Sequence, residues 1–318
     1  LNLPNISKNS VFAGYSFKDD STLDRLQAKG FSKLWRIDPQ SDLGISDLCA
    51  NVETFQDEFT LSKANQILKR RNIADVMIVR HVVEHAYRLP EFVSAINSLV
   101  DNEGYVVWEL PDCESALSKG DFTSIWEEHI HYFTSHTFKQ MLESSGYTII
   151  YYESVPYPQE DSLIVITKKN EKGKPSFFHD KSAINIENAR AYEFAKKVTL
   201  RKKVIQRKLE KFKNSGGTIA IFGAGHLSVA FIAMMEISDM IDFVIDDNPN
   251  KRGMIMPIGG IKILDSDSLY SRGVSLCLLG LNPLNQPKVI LKHALFRDNG
   301  GIFASIFPDT DNALEDLI

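Results

Sequence analysis

Through the first half of the chain, short β-branched runs alternate with stretches of helical period, the pattern of a doubly wound α/β sheet. Ser10 to Ala13 reads as a strand, followed by a helix over Thr22–Lys29 that ends at Gly30. Leu34–Ile37 is a second strand, ending at Asp38–Pro39, and a helix is expected over Leu61–Arg71. The apolar run Asp75–Val79 predicts a third strand and Pro90–Val100 a helix. A fourth strand is expected over Gly104–Leu110, stopped by Pro111, then a helix over His136–Ser145 ended by Gly146. Tyr147–Glu153 and Leu163–Thr167 have no helical stretch between them and predict an antiparallel hairpin.

Lys168 to Lys174 is polar, charged and interrupted by one glycine, which makes it a plausible boundary. Asn185–Lys213 is helical in period, with Tyr192, Ala195, Val198, Ile205, Leu209 and Phe212 on one face. Its basic residues, among them Lys196, Arg201, Lys202 and Lys208, predict a solvated linker helix rather than a polyanion-binding face. A second α/β unit follows: strand Thr218–Phe222, a helix from His226, then strands at Ile241–Ile245, Ser275–Leu279 and Gly301–Ile306. The expected division is 1–168, a linker region 169–215, and a Rossmann-like domain 216–318.

Composition narrows the function classes. The 318 residues fit about two domains. With 43% hydrophobic and 24% charged residues, both can have cores. A formal net charge of −5 argues against non-specific nucleic-acid binding, which depends on neutralising phosphates with Lys and Arg. No apolar run reaches the roughly 18 residues of a membrane helix, and no signal-peptide pattern opens the chain. Cys49, Cys113 and Cys277 are isolated, so a disulfide framework and a cysteine-rich zinc site are not expected, and a cytoplasmic setting is. An opening on Leu1 rather than Met, with a strand-like run close behind, raises the expectation of further sequence upstream.

Three constellations carry candidate chemistry. Gly223-Ala-Gly225-His-Leu-Ser228 follows a strand and opens a helix, and Asp246–Asp247 end the next strand about twenty residues on. That is the context of a nucleotide site, and it is equally that of a Rossmann-like fold that only needs the tight turn. His81-Val-Val-Glu84-His85 formally matches a zinc-protease pattern, but a strand runs directly into His81 and Pro90 follows soon after. It is better placed in a loop at the carboxyl end of a central strand, where α/β sheets build ligand crevices. Trp126-Glu127-Glu128-His129-Ile-His131-Tyr132-Phe133, with His136 behind it, puts acids beside imidazoles, the combination a general base needs.

Together these residues resemble the sugar C-methyltransferases, which use S-adenosylmethionine (SAM) on keto-sugar nucleotides. Arg80-His81-Val-Val-Glu84-His85 resembles the family's segment after the fourth strand, and Glu109-Leu-Pro111-Asp112 its Glu-x-Pro-Asp strand end. Glu128-His129 with Tyr132-Phe133 resembles its Tyr-His-Glu-His-x-x-Tyr-Phe signature. Phe222-Gly-Ala-Gly225, Asp247-Asn-Pro-Asn-Lys251-Arg-Gly253, Pro257 and Gly280-Leu-Asn282 are similar to its C-terminal Rossmann-like domain. The resemblance implies a class I methyltransferase domain, whose general plan is five parallel strands closed by a hairpin, followed by that smaller α/β domain. It implies that His129 removes a proton beside a ketone, with Glu128 orienting it, and that the enolate attacks the SAM methyl. His85 would stabilise the enolate charge, and His81, Glu109 and Tyr132 would meet the acceptor. Gly14, Ser16, Lys18, Asp19, Asp38 and Arg80 match the cofactor side.

This chain departs from the family at named places. The family's Glu-x-Gly-x-x-x-Gly loop is here Gly14-Tyr-Ser16-Phe-Lys18-Asp19-Asp20, so both loop glycines are replaced. Lys18 is then expected to pair with an anionic group of a ligand. The family's Gly-Gly-Ser turn is Gln159-Glu160-Asp161-Ser162, and its Tyr-His pair is Trp126-Glu127. The family's N-terminal cysteine-rich zinc lobe has no counterpart among these 318 residues, and no metal is expected. The readings left open are a SAM-dependent methyltransferase on a nucleotide sugar, a non-catalytic relative that binds a sugar nucleotide or partner, and an NAD-type binder using Gly223–Ser228. No nucleic acid or membrane is expected as a partner, and the oligomeric state is not legible.

Overall fold

The computed structural model describes residues 3–47, 51–126, 128–157, 161–169, 181–308 and 310–317. It divides into two units, Leu1–Ser115 with Glu127–Glu187, and Ala116–Trp126 with Asn188–Ile318. Most of the expected boundary stretch Lys168–Lys174 lies outside the described residues, as do Cys49, Glu127, Gln159 and Glu160.

In chain order the first unit has β1 (Val11–Gly14), α1 (Asp20–Ala28), β2 (Lys33–Arg36), α2 (Val52–Glu58), α3 (Leu61–Ile67), β3 (Ala74–Arg80) and α4 (Leu89–Leu99). β4 (Val100–Asp112), α5 (Glu114–Lys119), α6 (Ser135–Ser144), β5 (Tyr147–Val155) and β6 (Asp161–Lys169) follow, α5 running on into the second unit. The six strands are ordered β2-β1-β3-β4-β6-β5. β1 to β4 pair in parallel, and β6 is antiparallel to both β4 and β5. Four parallel strands therefore precede the hairpin, one fewer than the general plan. Among the described residues, the segment between β2 and β3 is helical and adds no strand.

β4 runs through Pro111 to Asp112 instead of stopping before the proline. Glu109 turns its carbonyl towards β3 and accepts from His81 N at 2.7 Å. Two residues on, the proline nitrogen faces the same side, beyond the last β3 pair Arg80–Glu109, so no ladder bond is lost. On the other side Pro111 stays in register with Ser162. Behind the sheet, α4 buries Phe92, Val93, Ala95, Ile96 and Leu99 at helical spacing. The wholly buried Trp108 donates its indole N–H to Thr167 Oγ1 at 3.0 Å, which satisfies the polar atom of the largest core side chain.

The second unit contains α7 (Lys181–Asn214, begun in the first), β7 (Ile219–Phe222), α8 (His226–Met235), β8 (Phe243–Ile245), β9 (Ile263–Leu264), β10 (Leu276–Leu279) and β11 (Ile302–Ser305). They form a parallel sheet of order β11-β10-β7-β8-β9. β7 and β10 are buried at every position, as expected of central strands covered on both faces. β9 escapes sequence reading because two residues carry no period. α7 is less solvated than its charge predicts. It buries Val198, Ile205 and Leu209, Arg201 pairs with Glu315, and Lys213 pairs with Asp242 at 2.8 Å.

Between β7 and α8 the chain turns at Gly223, whose φ of +107° only glycine adopts readily. Ser228 takes the place of a third glycine, and the room it needs comes from Gly280 at the end of β10. The Ser228 hydroxyl donates to Gly223 O and lies 3.3 Å from Gly280 O, and a Cβ added at Gly280 would overlap that hydroxyl. Gly280→Ala is therefore expected to destabilise the chain by about 1–3 kcal/mol in denaturant unfolding, the usual range for overpacking. Adding Ser228→Gly should recover much of that loss; equal destabilisation in the single and double variants would show that the two sites do not share this space.

Candidate functional site

The carboxyl ends of β1 to β4 gather most of the residues singled out in the sequence. After β1 the chain enters a short 3₁₀ turn, Phe17–Asp19, capped reciprocally by Ser16 and Asp19. Asp19 accepts from the amides of Tyr15 and Ser16 at 2.8 and 2.9 Å, while its other oxygen, Oδ1, is buried with no hydrogen-bond partner among the described residues. Burial pushes the Asp19 carboxyl up to about 7, against the opposing pull of those amides and of Arg80. Ser16, at φ −138°, and Asp20, at φ −53°, replace the family's glycines in conformations open to any residue. Gly14 is the tighter place: a Cβ there would come within 3.0 Å of Asp19 Cβ and 3.1 Å of Leu23.

Two basic side chains lock this loop to β3. The Lys18 ammonium donates to the His81 carbonyl at 2.8 Å, and Arg80 Nη1 donates to the Lys18 carbonyl at 2.8 Å. Arg80 also grips Glu109 through Nε and Nη2, and His81 Nε2 lies 3.3 Å from Glu109 Oε1. Burial alone would raise the Glu109 carboxyl, but hydrogen bonds from His81 and Arg80 outweigh it and hold the group at about 2. Arg80 and Glu109, expected on the cofactor and acceptor sides respectively, thus face each other across β3 and β4. Lys18, expected to meet a ligand anion, is engaged with backbone. His81 has φ +51°, a strained backbone of the kind that clusters at functional sites.

At the tip of β2, Asp38 caps the turn Pro39–Leu43 through Oδ1, accepting from Ser41 N at 2.7 Å and Ser41 Oγ at 2.8 Å. The Ser41 amide, then its hydroxyl, hold the carboxyl below its usual range, so it is a charged acceptor beside β1.

After β3 a single 3₁₀ turn, Val83–His85, buries Glu84 and His85 to 2% and 3% exposure. The Glu84 carbonyl accepts from Ile130 N at 2.9 Å and His131 N at 3.0 Å, and His131 Nε2 lies 2.9 Å from Ala86 O. These bonds fix the segment that carries His129. Its ring meets that of His85 edge-on, with centroids 4.7 Å apart, and Tyr132 stands 6.1 Å away. Glu128, the expected orienting acid, is exposed in a turn, whereas Glu84 Oε1 lies 3.9 Å from His85 Nε2 and 3.8 Å from His81 Nδ1. Burial pushes the Glu84 carboxyl up to about 7, against its own amide and the charges of His81 and Lys18. Sequence reading gave Glu84 no role beyond the zinc-protease pattern. Its position between His81 and His85, in a stretch running off an apolar strand, was the available signal.

In the second unit the acids near the glycine turn are engaged. Asp246 accepts from Ala224 N at 2.8 Å and pairs with Lys251 at 3.1 Å, and Asp247 pairs with Lys292 at 2.6 Å. Trp126 stacks on His226 at 3.6 Å and 4°, so the 126–133 signature is divided between the units.

The residues at the β1 and β2 tips suit SAM. Asp38 offers an acceptor for hydroxyl groups, and Asp19 Oδ1, with no hydrogen-bond partner among the described residues, keeps acceptor capacity behind the loop. Ser16, in extended backbone, keeps its hydroxyl within the turn by accepting from Lys18 N.

A sheet of this order, with acids at the first two strand tips and paired imidazoles beyond the third, defines an α/β protein of the methyltransferase type. The family model of the methyltransferase domain matches residues 18–152, and that of the C-methyltransferase C-terminal domain matches residues 164–308. The chain thus carries a methyltransferase domain followed by a C-methyltransferase C-terminal domain, the two matches together spanning most of its length. It is 23% identical over 281 residues to C-methyltransferase NovU of Streptomyces niveus, a match covering 86% of this chain and 66% of that protein. Among solved structures, 1,6-didemethyltoxoflavin-N1-methyltransferase of Burkholderia thailandensis matches at 11% identity and TM-score 0.35, covering 51% of this chain and 72% of that one. A SAM-dependent methyltransferase from Archaeoglobus fulgidus matches at 16% and 0.35, covering 51% and 86%. No helix among the described residues is long and apolar enough to cross a membrane.

Asp19 makes a pH prediction. Its proton is held more tightly in the folded chain, near 7, than in the unfolded one, near 3.8. Its contribution is therefore complete below about pH 4 and lost as the pH rises through 7. In thermal melts, the stability of the wild type relative to Asp19→Asn should fall steadily between those values; a difference that stays flat or grows with pH would contradict the assignment.

Proposed function

We propose that the chain is a SAM-dependent C-methyltransferase whose acceptor is a keto-sugar carried on a nucleotide. The observation that carries this reading is the pair of imidazoles, His85 and His129, held edge-on beyond β3 in a chain with both C-methyltransferase domains. In this reading Asp38 binds the cofactor ribose and Asp19 its amino-acid end, with Gly14, Ser16, Lys18 and Arg80 shaping the loop between them. When bound, SAM supplies an electrophilic methyl group on a sulfonium. His129 takes the proton from the carbon next to the acceptor ketone, a role worth typically about 10²–10⁴ in rate. His85, almost fully buried beside it, donates to the developing enolate oxygen, where a hydrogen bond counts for most in a water-poor setting. His81, Glu109 and Tyr132 border the acceptor.

Isothermal titration of the full chain with SAM and S-adenosylhomocysteine tests the cofactor, and a methyl-transfer assay tests the base. Saturable binding of both nucleosides is expected. His129→Ala should lower turnover by about 10²–10⁴ while leaving the cofactor affinity within about twofold. Absence of binding would overturn the cofactor assignment, and unchanged turnover would remove His129 from the mechanism.

A further inference from the structure

The buried side of this cluster holds an acid that proton transfer by His129 does not use. Glu84, His85 and His129 each present one ligand atom, and the three atoms lie within 4.8 Å of one another. Glu84 is 2% exposed, and its Oε2 is buried with no hydrogen-bond partner among the described residues. The two ligand-bearing segments are tied together, because the Glu84 carbonyl accepts from Ile130 N and His131 N on either side of the same short loop.

We propose that Glu84, His85 and His129 form a binding site for one divalent transition-metal cation of the zinc class. Two imidazoles and one carboxylate are a ligand set for such ions, whereas calcium and magnesium favour an all-oxygen shell. Metal–ligand bonds of about 2.0–2.2 Å bring tetrahedral ligand atoms to roughly 3.4 Å apart. His85 Nε2 and Glu84 Oε1 already stand at 3.9 Å, so small side-chain rotations close the site. A cation would add positive charge directly beside a carboxylate that burial disfavours, coordinating Glu84 through one carboxylate oxygen. Three protein ligands leave a fourth position for water or an anionic oxygen. The metal would occupy the His129 nitrogen lone pair, so a loaded chain could not use His129 as a base. That consequence rests on the methyl-transfer reading; the site itself does not.

The test uses the full chain stripped with chelator and titrated with Zn²⁺, needing neither methyl donor nor acceptor. One Zn²⁺ per chain is expected, and Co²⁺ in its place should show the visible absorption of a four-coordinate site. Glu84→Gln, His85→Ala and His129→Asn should each weaken binding by at least about tenfold, and His136→Ala, an exposed imidazole outside the cluster, should not. Far-ultraviolet circular dichroism of each variant separates loss of a ligand from loss of the fold. His129 is only half-buried, so His129→Asn provides the variant least exposed to that problem. Failure of the folded wild type to bind stoichiometric Zn²⁺, or unchanged affinity in folded His129→Asn, would overturn the proposal.

Discussion

Arg80 is the side chain on which the arrangement of the site depends. It ends β3, grips Glu109 on β4 with two of its nitrogens, and reaches the Lys18 carbonyl with the third. Lys18 answers by donating to the carbonyl of His81, the next residue along. Three chain segments therefore converge on one guanidinium, whose fixed fork suits two-point contact with a carboxylate. The pair is largely buried, at 20% and 16% side-chain exposure, so removing either member strands the other. The strained backbone of His81 is held within this lock, between the bond to Glu109 and the contact with Lys18.

From that lock the site extends in two directions. Towards β1 and β2 it offers acids, Asp19 and Asp38, each with one oxygen bound to nearby backbone. Towards the loop after β3 it offers imidazoles, and the segment that carries His129 is tied by its backbone amides to the Glu84 carbonyl. An acidic region beside a buried His85 and a half-buried His129 is the arrangement on which the proposed reading, a cationic donor next to a carbon acid, rests.

Much of the fold was legible because its strands are apolar, β-branched and closed by turn residues. Asp75–Val79 and Thr218–Phe222 fall within one residue of β3 and β7 at every end. The misreadings have local causes. Pro111 lies in a strand because its nitrogen faces the side where β3 has ended, and β9 is too short for any period to register. The loss of two loop glycines looked severe in sequence. The backbone explains its tolerance, since neither Ser16 nor Asp20 has positive φ. Candidate residues were legible by type and place, but not by pairing. Nothing in the order of residues reveals that Arg80 turns to Glu109, that Lys18 turns to a carbonyl, or that Glu84 lies deeper than Glu128. Those choices depend on which strand tips become neighbours, and the sheet order is a long-range property.

The central claim is that the tips of β1 and β2 form a cofactor crevice although the glycine loop has changed. A crystal structure of the full chain with S-adenosylhomocysteine tests it most directly. The account predicts ribose hydroxyls on the Asp38 carboxylate and the amino-acid end beside Asp19. Nucleoside density on the Gly223–Ser228 turn, with none at Asp38, would contradict it.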